Sequence, residues 1–237
     1  ATPIAQETLN VYAPMAHRLG MWELKSQLED MAFSCDKPIE YDRIDKKINS
    51  NRDEKKLWIA LAMKTLKEEM EKAGIKAEIT GRIKPVYSYR RKELKYKQPD
   101  GNTREILDLL GIRIIVDEIK DCYNALGVIH KNADHPEWHP LPGEFDDYIA
   151  NPRGGTYQSI HTTVTLFPEY PPFEIQIRTR EMHRVAEFGV AAHWRYKADG
   201  RLDEKFDKRI EGLRVLIEQF KDITGSDFVD LMQIDLF

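Results

Sequence analysis

Apolar residues recur at helical spacing through the first 33 residues, ATPIAQETLNVYAPMAHRLGMWELKSQLEDMAF, and the pattern breaks around Gly20. That spacing predicts two helices packed against each other. From Arg52 to Lys72, Leu57, Ile59, Leu61, Met63, Leu66 and Met70 stand among alternating charges, which predicts a further helix with Gly74 as its stop. The period then changes. Ile75 to Ile83 alternates like a strand, and Val86 to Leu94 reads as a short basic helix. Leu110 to Val116 is a compact Ile-rich run of the kind that buried strands carry. Glu118 to His130 is helical again. Ser159 to Phe167 and Phe173 to Ile177 are strands joined by the proline-containing turn 168–172, and Glu181 to Tyr196 is a helix. After Gly200 the chain is helical to about Ile223 and breaks at 225–227. Strands and helices mixed in this order predict an α+β domain built around a sheet.

Composition narrows the function class. The 237 residues are 41% hydrophobic and 32% charged, an ordinary globular mixture with enough length to bury a core. A net charge of −4 gives no case for a generic nucleic-acid binder, and the basic residues instead bunch between Lys84 and Lys97. No apolar run is long enough to span a membrane, and no signal peptide is visible. The chain opens without Met inside a helical pattern, which reads as a piece of something longer. Cys35 and Cys122 lack metal spacing and are expected as buried free thiols in a reducing compartment.

Three stretches carry candidate chemistry. In GRIKPVYSYRRK, residues 81–92, a strand end runs into a helix, and such a junction offers backbone N–H groups and a positive helix end to phosphate. Arg82, Lys84, Arg91 and Lys92 add fixed charge, although on charge alone a solvated basic face is the better account. Asp108 precedes the run LLGIRIIV, and Glu174 lies in FEIQIRT with Gln176 and Arg178 on the same strand face. Two carboxylates on neighbouring strands suit Mg²⁺ beside a nucleoside triphosphate. An ordinary salt bridge, such as Glu174 with Arg113, explains the pair equally well. The Gly-rich loop 143–161 offers Tyr157 to stack on a base and Arg153 and His161 to meet phosphate. On the helix after it, His183 and Glu187 sit at i, i+4, but no further ligand completes a zinc set, and packing accounts for them better.

These motifs, taken in order, resemble the RelA/SpoT family of (p)ppGpp synthetases. The resemblance runs through VYAPMAHRLGMWELKSQLEDMAF, GRIKPVYSYRRK, LDLLGIRIIV, CYNALGVIH, PGEFDDYIANP, YQSIHTTV, EIQIRT and MHRVAEFGVAAHWRYK. It implies a nucleotidyltransferase-like mixed sheet of the polymerase-β type, flanked by helical segments. Residues 1–73 would link to a hydrolase domain, 74–198 form the synthetase, and 199–237 lead toward regulatory modules. The implied reaction is Mg²⁺-dependent pyrophosphoryl transfer from ATP to the 3′-hydroxyl of GDP or GTP, the alarmone synthesis of the stringent response. By the same resemblance Arg82 would stack on adenine, with Lys84, Ser88, Lys92 and Arg113 on the ATP side. Asp108 and Glu174 would hold Mg²⁺, Glu174 also acting as base. Arg153, Tyr157, Gln158 and His161 would meet GDP or GTP. The implied protein is cytoplasmic, off the membrane, without direct nucleic-acid binding by this chain, its full-length form meeting ribosomes through other modules. The family's hydrolase His-Asp motif does not occur in the sequence. Gly155-Thr156 departs from the family's usual Asn-Gly, the stretch 131–137 is longer than usual, and Glu144-Phe145-Asp146-Asp147 is the acidic form of a motif that is basic in many bifunctional members. The rival on the same fold is a catalytically inactive nucleotide-binding regulatory module.

Overall fold

The computed structural model describes residues 3–18, 21–97, 106–131, 135, 138–153 and 157–188. The expectations at Gly20, at 132–134, at Gly155-Thr156 and for the helices beyond 188 lie outside them. The chain divides into two compact units, residues 1–37 with 187–237, and residues 38–186.

In the first unit, α1 (Pro3–Glu7), a π-helical turn (Thr8–Tyr12) and α2 (Ala13–Arg18) pack on α3 (Trp22–Asp36). Small side chains make the close approach possible: Ala5, Ala13, Ala16 and Ala32 are buried together with Phe33. Gln6 donates to Asp36 at 3.0 Å, closing the far end. The helical reading of this stretch holds. The expectation for Cys35 does not: it is exposed near the end of α3.

The second unit begins with α4 (Pro38–Asn49), an element the apolar pattern did not suggest. Its apolar contribution is only Ile44 and Ile48, one turn apart and fully buried. α5 (Arg52–Lys72) follows after Asn51, which takes the left-handed conformation at φ 55°. Here Lys55 turns back and donates to the carbonyls of Ile48 (2.7 Å) and Ser50 (2.8 Å), satisfying the C-terminal carbonyls of α4. The side chain is 6% exposed, so these bonds have no water to replace them. Lys55→Met should cost about 1–3 kcal/mol, read as a lower urea midpoint with unchanged slope.

The remaining elements are β1 (Glu78–Ile83), α6 (Val86–Tyr96), β2 (Leu110–Val116), α7 (Ile119–His130), β3 (His139–Asp147), β4 (Ile160–Thr165), β5 (Phe173–Thr179) and α8 (Arg180–Phe188). The strands form one sheet in the order β1-β2-β5-β4-β3. β2 and β5 are parallel, and every other pair is antiparallel. The α+β class with a mixed sheet is therefore as the sequence suggested. β3 was not: HPLPGEFDD reads as a loop, yet it pairs with β4 as the sheet's edge, with a register shift between Pro140 and Phe145.

Strand alternation gives the sheet two unlike faces. One carries Ile79, Ile83, Leu110, Ile112, Ile114, Phe173, Ile175, Ile177, Ile160 and Val164, and α5 and α7 cover it with Ile59, Leu66, Met70, Cys122, Ala125 and Ile129. Each such side chain fully buried contributes roughly 1.5–3 kcal/mol. Gly81 lets α5 lie this close, since a Cβ there would stand 2.3 Å from Ile59 Cγ2. Cys122, inside this layer, behaves as an inert hydrophobe, burial and then Asp121 pushing its thiol up to about 12. The other face carries Arg82, Arg113, Glu174, Gln176, Arg178, His161 and Thr163 in register.

Candidate active site

The polar face is organised by the β2–β5 pair. Gly111 stands opposite both Arg82 on β1 and Glu174 on β5, and the aliphatic stem of Arg82 runs across it, 3.8 Å from where a Cβ would project. Asp108 enters just before β2 and is 6% exposed. Lys84, at the end of β1, is brought beside it because the Lys84 N–H donates to the Leu109 carbonyl at 2.9 Å. Pro85 then sets the extended residue that precedes α6. Ser88 lies in that helix's first turn, and Lys92 follows one turn later on the same side.

The two lysines converge on one oxygen. Lys84 Nζ and Lys92 Nζ each lie 2.5 Å from Asp108 Oδ2. Burial opposes the charge on Lys92, but the hydrogen bond and charge of Asp108 outweigh it and raise its pKa, with Tyr96 and Glu174 adding to the effect. Asp108 Oδ1, buried, has no hydrogen-bond partner among the described residues. An orphaned carboxylate oxygen in a dry site is costly unless something else completes it.

Glu174 shares the same cations. Its Oε2 accepts from Gln176 Nε2 at 3.1 Å, and its Oε1 lies 3.4 Å from His161 Nδ1. Burial works to raise its pKa. The hydrogen bond from His161 and the charges of His161, Lys84 and Lys92 outweigh burial and hold the carboxyl down at about 2. It is therefore ionised throughout the neutral range. The sequence placed Asp108 and Glu174 near each other, and the structure brings them into one electrostatic pocket.

The loop after β3 builds the other side. Asp147 Oδ1 accepts from the N–H groups of Ile149 and Ala150, fixing the turn that leaves the strand. Arg153 and Tyr157 pair through two backbone hydrogen bonds of 3.0 and 3.2 Å, and Gln158 donates to the Ile149 carbonyl at 3.2 Å. Gln158 thus braces its own loop. The Tyr157 hydroxyl lies 2.7 Å from His161 Nε2. Burial raises the Tyr157 pKa, while the nearby charges of Arg178 and Arg113 pull against it. Tyr148 was passed over in the sequence. It sets its edge against both Tyr157 (5.9 Å) and His161 (5.2 Å), with the Arg153 guanidinium 5.8 Å over its ring. A second aromatic within ten residues of Tyr157 was the available signal. Arg178, 2% exposed, completes a strip of cations on this face with Arg82, Lys84, Lys92 and Arg113. Two carboxylates within such a strip suit a polyanion with a divalent cation, and the aromatic corner suits a planar base.

The comparisons with known proteins bear on the same segment. Residues 81–201, just over half the chain, match a family described as "Region found in RelA / SpoT proteins". The chain is 39% identical over 235 residues to a GTP pyrophosphokinase of Myxococcus xanthus, covering 99% of this chain and 30% of that protein. It is 46% identical over 199 residues to the bifunctional (p)ppGpp synthase/hydrolase RelA of Mycobacterium tuberculosis, covering 83% and 26%. Among solved structures it is similar to a GTP pyrophosphokinase family protein from Streptococcus pneumoniae, at 21% identity and a TM-score of 0.49, covering 76% of this chain and 91% of that one. The chain spans under a third of the length of these two curated relatives. The motif order, the site residues 82–178 and the family match fall on one stretch, and the chain belongs to the RelA/SpoT family.

Proposed function

We propose that the chain transfers the pyrophosphoryl group of ATP to the 3′-hydroxyl of GDP or GTP, giving ppGpp or pppGpp and AMP, on a sheet of the polymerase-β nucleotidyltransferase type. One observation carries the reading: Asp108, just before β2, and Glu174, on the adjoining parallel β5, share the cations Lys84 and Lys92. The donor set fits Mg²⁺. Asp108 Oδ1 is buried without a partner among the described residues, Glu174 is ionised, and hard oxygen ligands from one or two carboxylates, completed by phosphate, are what that ion takes. When bound there, Mg²⁺ would shield phosphate oxygens and lower the cost of charge at the attacking oxygen.

The chain's own residues do the rest. Arg82 packs over the adenine, Ser88 and the start of α6 receive phosphate oxygens, and Lys84, Lys92 and Arg113 neutralise them. Tyr157 stacks on guanine, with Arg153 beside it. The 3′-oxygen attacks the β-phosphorus, the bond from that phosphorus to the α–β bridging oxygen breaks, and AMP leaves with that oxygen. The hydroxyl proton passes to Glu174. Phosphate draws Lys84 and Lys92 away from the carboxylates, which raises the basicity of Glu174 as the substrate arrives. Positioning and charge neutralisation supply most of the rate in phosphoryl chemistry of this kind. Soluble nucleotide substrates support a cytoplasmic location.

With γ-labelled ATP, GDP or GTP, and Mg²⁺, label should enter a guanosine product with one AMP formed per transfer. Release of inorganic phosphate or pyrophosphate without that product overturns the proposal. Tyr157→Ala should weaken guanine nucleotide binding roughly 5- to 150-fold, with ATP binding nearly unchanged, since one base–aromatic stack is worth about 1–3 kcal/mol. Calorimetric titration of each nucleotide checks it, and equal losses would make Tyr157 a structural residue.

A further inference from the structure

We infer that His161 is a positioning residue that ties the ring of Tyr157 to the carboxylate of Glu174, so that one chain of hydrogen bonds sets both the stack of the acceptor base and the place of proton removal. This rests on the pyrophosphoryl-transfer reading of the site.

Stacking uses the face of an aromatic ring and makes no demand on a hydroxyl, so a phenylalanine would serve as well. Yet the Tyr157 hydroxyl is engaged, 2.7 Å from His161 Nε2. On the other side of the same imidazole, Nδ1 lies 3.4 Å from Glu174 Oε1. An ionised carboxylate only accepts, so Nδ1 carries the hydrogen and donates. Nε2 is engaged with the tyrosine hydroxyl whichever of the two donates, so both ring nitrogens are occupied between Tyr157 and Glu174. In this arrangement neither ring nitrogen is left to donate to a phosphate, the role the family resemblance suggested for this residue.

The backbone makes the chain rigid at one end and dependent at the other. His161 sits inside β4, opposite Gln176 of β5, and Gln176 holds the second oxygen of Glu174 at 3.1 Å. The carboxylate is therefore gripped at both oxygens by groups on two paired strands. Tyr157 precedes β4, where its backbone is held by Arg153 and its ring by the edge of Tyr148. Its hydroxyl is the hydrogen-bonded tie to the sheet, through His161, whose ring also stands edge-on to its own at 5.7 Å. Removing that hydroxyl leaves the stacking face and lets the ring, with the base on it, shift relative to Glu174. A shift of that kind penalises the reacting geometry more than binding.

Tyr157→Phe, His161→Asn and the double variant test this with ATP, GDP and Mg²⁺. Asn places an amide donor near the position of Nδ1, so it keeps the Glu174 contact and loses the Tyr157 one. Each single variant should lower kcat roughly tenfold, with KM for GDP and its calorimetric affinity within about twofold of wild type. The double variant should be no slower than His161→Asn, because both changes break the same link. Melting temperatures close to wild type show that the fold is intact. A Tyr157→Phe enzyme with normal kcat, a loss confined to KM, or a double variant whose loss is the product of the single losses overturns the inference alone. A wild-type chain that makes no guanosine product overturns the transfer reading, and the inference with it.

Discussion

Glu174→Gln is expected to lower turnover by at least about 100-fold while the chain still folds. The substitution keeps the shape and the Gln176 contact, and removes the charge, the proton acceptor and one candidate Mg²⁺ ligand. Its effect on stability has a sign that can be worked out. Burial disfavours the charged form, yet the hydrogen bond from His161 and the charges of His161, Lys84 and Lys92 hold the carboxyl at about 2, against 4.5 for the free group. A depressed carboxyl contributes stability above its unfolded value and loses it as pH falls through its folded value. Wild type should therefore exceed the variant by a few kcal/mol at neutral pH, and the gap should close between about pH 4.5 and pH 2. Urea melts across that range, beside turnover assays, measure both effects. An enzyme with near-normal turnover would make Glu174 a structural ion-pair residue.

The strands at the centre of the sheet were legible because one buried apolar face leaves Ile and Phe at alternate positions. LGIRIIV was bounded to the residue, and FEIQIRT was read with Glu174, Gln176 and Arg178 on one face, as the register has them. The edge was not legible. β3 contains two prolines, a glycine at φ 78° and three acidic residues, all of which normally argue for a turn. An edge strand tolerates them because one row of its backbone groups needs no partner, and the shift between Pro140 and Phe145 absorbs the misfit. α4 escaped for the opposite reason: it is polar on most of its surface and buries two isoleucines, though Pro38 at its first position was a start signal. At the site, residue types indicated Asp108, Glu174 and the lysines. No spacing rule showed that Lys84 and Lys92 would share one oxygen of Asp108, or that the Tyr157 hydroxyl would reach His161. Those contacts join residues far apart in sequence or at a loop end, and only the register of the sheet brings them together.

Asp108→Asn should lose turnover on a similar scale, roughly 100-fold, and like Glu174→Gln it should also cost folding stability, here about 3–5 kcal/mol. The reason is local. Lys84 and Lys92 are 18% and 21% exposed, and both point at Asp108 Oδ2. Remove the charge and two ammonium groups face each other with little water between them. Asp108, by its hydrogen bond and its charge, is also what overcomes burial and raises the Lys92 pKa above its ordinary 10.5. A raised lysine contributes stability that is fully present below about pH 10.5 and is lost as pH climbs through the folded value. The wild type should therefore weaken on the alkaline side, and the deficit of Asp108→Asn should shrink there, since Lys92 in the variant sheds its proton more easily. A second substitution separates the two effects. Lys92→Met added to Asp108→Asn removes one of the facing charges and should recover part of the lost stability, while turnover stays as low as in the single variant. Denaturant midpoints of the wild type, the single variant and the double variant at pH 7 and above pH 10 give the coupling directly. A single variant as stable as wild type at pH 7 would mean that the lysines turn to solvent once Asp108 is neutral, and that the pair of ion pairs does not hold this corner of the sheet.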